Sequence, residues 1–285
     1  MGSQDRPVPE RLSGYTAIVT GGGGTIGTST AVRFAREGAN VVLAQRSRPS
    51  AQRVVDRIDE LGGNATFVPT DLTSESDVES LVADTVAEFG GLNIVVNNAA
   101  SLRFDWAEAM SREAFDAVVA TNLSGPFQLA RDAYEHMRDD GYGRVINVGA
   151  IQSQSPLPGA VAYASSKAGI DGLTRSLASE WSDTEDADIT VNTAMVGPIY
   201  QGGNVDDYPD LPLEEANNQV PAEVDDRAAT LVGRWGRARD VAALLAFLAS
   251  PESSFITASV IPCDGGRLVS RMGKAVDQED HIQSD

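Results

Sequence analysis

The chain has 285 residues, 42% of them hydrophobic, which is enough for a sizeable core and fits one α/β domain with no forced break. A formal charge of −19 speaks against nucleic acid and against anionic membrane surfaces as partners, since both would repel it. The single cysteine, Cys263, excludes an intrachain disulfide and makes a reducing compartment the default.

Residues 1–12 are polar and read as a loosely held N-terminal arm. TAIVT (16–20) is the first predicted strand, followed by a glycine-rich turn and a helix over 26–38. Strands at 40–45, 65–70, 92–99, 143–150, 189–196 and 259–266 then alternate with helices at 50–61, 74–89, 112–138, 160–182 and 238–249. The strands are almost wholly apolar, as strands of a parallel sheet covered on both faces must be. The expectation is therefore a single doubly wound α/β domain over 13–268, with a polar C-terminal tail at 269–285. Residues 200–232 are rich in Gly, Pro, Asp and Glu, carry no strand signal, and read as a substrate loop. The N-terminus lacks a signal-peptide core and no run approaches 18 apolar residues, so a soluble cytoplasmic protein is expected. Only Lys167 and Lys274 are lysines, against 41 acidic residues. Such a surface suits a salt-loaded cytoplasm, where screening shortens self-repulsion, although a GC-rich genome would also exchange Lys for Arg.

The turn after the first strand is TGGGGTIG, Thr20 to Gly27. Glycines there allow the backbone to approach a pyrophosphate that the N-terminus of the next helix can bind, which makes Gly21, Gly23, Gly24, Thr25, Ile26 and Gly27 candidate cofactor contacts. The second strand runs into Gln45-Arg46-Ser47-Arg48 with no acid. An acid here would bind a ribose 2′-hydroxyl, whereas Arg46 and Arg48 flanking Ser47 attract a 2′-phosphate, so NADP(H) is favoured and NAD(H) stays open. In VAYASSK, Tyr163 and Lys167 lie one helical turn apart on one face. An ammonium close to a phenol favours the phenolate and should draw its pKa down from about 10. His136 and His281 lie outside any metal-ligand spacing, so no catalytic metal is expected.

The glycine turn, Asp71 in TDL, Asn97 and Asn98 in NNA, Asn122 in TNLSG, the YASSK pair and the closing DGG occur in an order that resembles the short-chain dehydrogenase/reductase family over about residues 12–268. The resemblance implies a seven-stranded Rossmann-type sheet, a small-molecule substrate, and a homotetramer or homodimer. It also implies that Asp71 and Leu72 contact adenine, that Asn98 lines the cofactor ribose, and that Gly197 and Ile199 touch the cofactor near the substrate loop. Lys167 would bind the nicotinamide ribose and activate Tyr163, the acid/base, and Asn122 would hold a water linking Lys167 to solvent.

The pattern breaks in several places. The family's serine, thirteen residues before the tyrosine, is Ala150 here, and the nearest candidate substitute is Ser153. Losing such a donor typically costs about 10² to 10³ in rate. Thr25 replaces a turn glycine and could cap the helix. Gln201 stands where a threonine normally touches the nicotinamide. The acids Asp206, Asp207, Asp210, Glu214, Glu215, Glu223, Asp225 and Asp226 in the substrate loop disfavour anionic substrates by repulsion. The leading expectation is an NADP(H)-preferring oxidoreductase acting on a neutral secondary alcohol or sugar hydroxyl and its carbonyl. The alternative is a catalytically impaired dinucleotide-binding sensor or scaffold of the same fold.

Overall fold

The computed structural model describes residues 10–182, 187–200 and 230–272. The strands are β1 (Thr16–Thr20), β2 (Asn40–Gln45), β3 (Asn64–Pro69), β4 (Ile94–Asn97), β5 (Tyr142–Ala150), β6 (Asp188–Val196) and β7 (Val260–Cys263). The helices are α1 (Thr25–Arg36), α2 (Arg48–Glu60), α3 (Glu75–Phe89), α4 (Arg112–Val119), α5 (Gly125–Asp139), α6 (Val161–Glu180), α7 (Ala238–Ala249) and α8 (Arg267–Met272). All strand pairs are parallel, in the order β3-β2-β1-β4-β5-β6-β7. The order reverses between β1 and β4, so the connections leave to opposite sides there and open a crevice beyond the strand ends.

Why these segments are strands follows from their burial. Every residue of β1, β4 and β5 is buried, because helices cover both sheet faces. One apolar layer packs Phe34 of α1, Ile58 of α2 and Leu245 of α7 on the sheet; the other packs Leu81 of α3, Leu129 of α5 and Leu177 of α6. A chain of polar groups crosses the second layer. Asn97 Nδ2 donates to Asn147 Oδ1 at 2.9 Å, Asn147 Nδ2 donates to Thr174 Oγ1 at 2.8 Å, and Thr174 Oγ1 meets Thr193 Oγ1 at 2.7 Å. It joins β4, β5 and β6 to α6, and all four residues are buried, so each bond escapes the competition of water.

Three element boundaries depart from the sequence reading. The segment 112–138 is not one helix: a π-helical turn, Ala120–Ser124, separates α4 from α5. The N-terminal arm is tied down before residue 12, because Leu12 is buried and its N–H donates to Glu37 O at 2.9 Å, while Arg11 Nε donates to Glu37 at 2.8 Å. Glu37 also pairs with Arg33, so one buried carboxylate ties the arm to α1. At the other end, α8 continues past residue 269 to Met272. Among the described residues no helix is long and apolar enough to cross a membrane.

Candidate active site

A cavity of about 1060 Å³ lies at the C-terminal ends of β1, β4, β5 and β6. Its floor at one end is the turn from β1 into α1, where Gly21 has φ +63°, a conformation that favours glycine. A Cβ on Gly27 would lie 2.2 Å from Gly21 O, so only glycine lets α1 start this close beneath the turn. Gly21, Gly23, Gly24, Thr25 and Ile26 line the cavity, whereas Gly27 supports it from below. Thr25 does not cap the helix as expected, because it is already the first helical residue; Gly24 is the N-cap and no side chain caps α1. The first-turn N–H groups therefore lack a side-chain partner and favour an anion. Asn98, which also lines the cavity, donates Nδ2 to Thr20 O at 2.8 Å and so fastens the turn to the end of β4.

Gln45, a cavity residue to which the sequence analysis gave no role, latches the turn from β2. Its Oε1 accepts from Gly23 N–H at 2.7 Å and its Nε2 donates to Ser50 Oγ at 2.8 Å. Beyond it, Arg46 is exposed and lines the cavity. Arg48 does not line it: the guanidinium sits 4.8 Å from the centroid of the Phe67 ring and donates to Gln52. Ser47 is the N-cap position of α2 and also lies outside the lining. Asp71 and Leu72 both line the cavity. The Thr73 N–H and hydroxyl, aided by Arg46, hold the Asp71 carboxyl below its ordinary range.

At the other end the cavity is lined by Tyr163 and Lys167, one turn apart on α6. Lys167 is only 3% exposed, and its Nζ donates to Val148 O at 2.6 Å. Burial lowers its ammonium to about 8, opposed by the Asp171 carboxylate. The Tyr163 phenol is pushed above its ordinary value, the reverse of the sequence expectation. Burial explains this, because it penalises the phenolate, and the Lys167 ammonium, over the tyrosine ring at 5.7 Å from its centroid, does not offset it. Asn122 sits in the π-helical turn beneath this end, outside the lining. Its Nδ2 donates to Ser101 O at 2.9 Å and Ser166 Oγ at 3.0 Å, so its amide ties the end of β4 to α6.

Ala150 ends β5 and lines the cavity with no polar side-chain atom to offer. Ser153 is not brought in: its hydroxyl points to Met195 Sδ at 3.8 Å and to Asp171, away from the lining. Gln152, which the sequence reading passed over, lines the cavity instead. Gly197 and Ile199 complete the wall after β6. Gln201 and the acids of the substrate loop, Asp206 to Asp226, lie outside the described residues.

The profile of a family described as enoyl-(acyl carrier protein) reductase matches residues 23–267. The chain is 33% identical over 261 residues to glucose 1-dehydrogenase 2 of Bacillus subtilis, covering 90% of this chain and 95% of that protein. It is 30% identical over 259 residues to a 3-oxoacyl-[acyl-carrier-protein] reductase of Thermotoga maritima, covering 91% of this chain and 100% of that protein. A short-chain dehydrogenase/reductase variant from Serratia marcescens superposes with a TM-score of 0.78 at 30% identity, over 90% of this chain and 99% of that one. The chain belongs to the short-chain dehydrogenase/reductase family. It is an oxidoreductase of that type, and members of the short-chain dehydrogenase/reductase family bind NAD(P)(H). The residues present fit such a group. A Cβ on Gly23 would lie 2.5 Å from Ser50 Oγ, so the turn keeps its backbone bare beside an uncapped helix start, as a bound pyrophosphate requires.

Proposed function

We propose that this short-chain dehydrogenase/reductase interconverts a neutral secondary alcohol, including a sugar or polyol hydroxyl, with its carbonyl, and prefers NADP(H). The observation that carries the reading is the pair Tyr163 and buried Lys167 on one face of α6, lining the same cavity as the bare glycine turn. The bound nicotinamide would supply or accept hydride. Tyr163 gives its phenolic proton to the carbonyl oxygen during reduction and takes it back from the alcohol in reverse. Lys167, its ammonium over the tyrosine ring, lowers the cost of the phenolate, and Asn122 holds the base of that end by bridging Ser101 and Ser166.

Arg46, exposed on the cavity wall at the end of β2, a strand that itself ends without an acid, supports the preference for a 2′-phosphate, with Asp71 near enough to share its charge. Leu102 and Phe104, apolar and more than half exposed on the cavity rim, support a neutral substrate. We further propose that 13–268 form one catalytic domain with 200–232 as substrate loop, and that the active species is a cytoplasmic homodimer or homotetramer.

The test uses purified protein in molar salt. NADPH-dependent reduction of cyclohexanone, 1-tetralone and fructose, and NADP-dependent oxidation of glucose, are compared between wild type and Tyr163→Phe. Binding of NADPH and NADH is followed separately by tryptophan fluorescence. The expected result is tighter NADPH than NADH binding, and turnover that Tyr163→Phe removes while binding stays within twofold. NADPH binding in a wild type no faster than Tyr163→Phe would favour the sensor or scaffold.

A further inference from the structure

The proposed reaction gathers negative charge on a carbonyl oxygen, and a site of this kind needs a hydrogen-bond donor aimed at that oxygen besides the acid that protonates it. The end of β5 contributes Val148, Gly149 and Ala150 to the cavity, and none carries a side-chain donor. The next three residues form a short 3₁₀ turn, Ile151–Ser153, and its side chains part company. Ile151 is buried, and Ser153 turns to Met195 and Asp171. Gln152 alone of the three faces the cavity, half-buried, with no hydrogen bond to any described residue.

Most other polar side chains on the wall are already committed. Gln45 and Ser50 bond each other, Asn98 holds the glycine turn, and Thr121 donates to Ala117 O. Ser101 retains an unassigned hydroxyl, but it follows β4, the strand beside β5, where the Asn122 amide holds its backbone N–H and carbonyl, and it is tested beside Gln152 below. Gln152 lies two residues beyond Ala150 on the same strand exit, and its amide reaches further from the backbone than a serine hydroxyl does.

We propose that the Gln152 side-chain amide donates the hydrogen bond to the substrate's carbonyl oxygen that a serine at position 150 would otherwise supply. This rests on the oxidoreductase reading of the cavity. The amide is neutral and cannot pass its proton on at working pH, so proton transfer stays with Tyr163 and the two groups act on one oxygen in separate roles. Because the oxygen is most charged in the transition state, the bond contributes chiefly to kcat rather than to KM.

The test is a double-mutant cycle on the most rapidly reduced of cyclohexanone, 1-tetralone and fructose. It includes wild type, Gln152→Met (near-isosteric, no donor), Ala150→Ser, the two combined, Ser101→Ala and Tyr163→Phe. NADPH affinity, which the Gln152 change should leave within twofold, reports that each variant is folded. Gln152→Met is expected to lower kcat by about 10², with KM changed less than threefold and the pH profile unmoved. Ala150→Ser in the Gln152→Met background should restore most of that loss, while in wild type it should gain less than about tenfold, because the oxygen already has its donor. A Gln152→Met enzyme as fast as a wild type that itself outruns Tyr163→Phe overturns this inference alone. So does a loss confined to Ser101→Ala, or one Ala150→Ser cannot repair. A wild type no faster than Tyr163→Phe overturns the oxidoreductase reading, and this inference with it.

Discussion

Lys167 is placed where a positive charge is expensive, and replacing it with methionine should make the protein more stable at neutral pH while removing its activity. The ammonium is 3% exposed and its pKa falls from 10.5 to about 8. That depression corresponds to about 3 kcal/mol, at about 1.4 kcal/mol for each pH decade. Below pH 8 both folded and unfolded chains carry the proton, so the whole cost weighs on the folded state. Between pH 8 and 10.5 the folded chain releases the proton while the unfolded chain keeps it, so the wild type gains stability as pH rises. Above 10.5 both are neutral and the cost is gone. The substitution also deprives Val148 O of its donor, which costs roughly 1.5 kcal/mol. Lys167→Met should therefore be more stable than wild type by about 1 to 2 kcal/mol at pH 7, a rise in Tm of about 2–4 °C for each kcal/mol. Its advantage should shrink by about 3 kcal/mol and reverse by pH 10.5. Urea unfolding of both proteins from pH 7 to 10.5, at one salt concentration, measures the difference and cancels every other titrating group they share. A difference that stays constant over that range would mean that the buried ammonium is not the source of the cost, even if the variant proved more stable.

Gly27→Ala should lower stability by about 1 to 3 kcal/mol and weaken NADPH binding at least tenfold. The new Cβ cannot remain 2.2 Å from Gly21 O without moving α1 off the turn; denaturation and fluorescence titration check the two effects. Arg46→Ala should weaken NADPH by about tenfold and leave NADH within twofold, since only the 2′-phosphate loses a partner, and equal losses for both would count against the preference.

All seven strands were legible in the sequence, the five inner ones because burial makes them nearly continuous apolar runs and the edge strands β3 and β7, only partly buried, through their place in the alternation with helices; their ends moved by no more than a few residues. The helix expected over 112–138 was misread for a specific reason. A π-helical turn adds one residue to a single turn without a break in polarity, so the apolar face of the segment continues through Asn122. The glycine turn and the pair on α6 were visible because their chemistry depends on local spacing. Arg48 and Ser153 were misplaced because their directions are set by distant partners, Phe67 on β3 and Met195 on β6. Gln45 and Gln152 were missed for the same reason: a glutamine carries no pattern, and only the fold shows which way its amide points. The direction of the Tyr163 shift was also beyond the sequence, which places the lysine nearby but does not show how deeply the phenol is buried.

The chain of amide and hydroxyl groups from Asn97 through Asn147 and Thr174 to Thr193 has a consequence for how the enzyme could be altered. A slip of α6 by one residue would rotate it about 100°. That rotation would swing Tyr163 and Lys167 off the cleft and leave Asn147 and Thr193 facing hydrocarbon. The polar ladder thus works as an index pin: specificity is free to drift in the loops that surround the cleft, while the angular setting of the reactive pair resists drift.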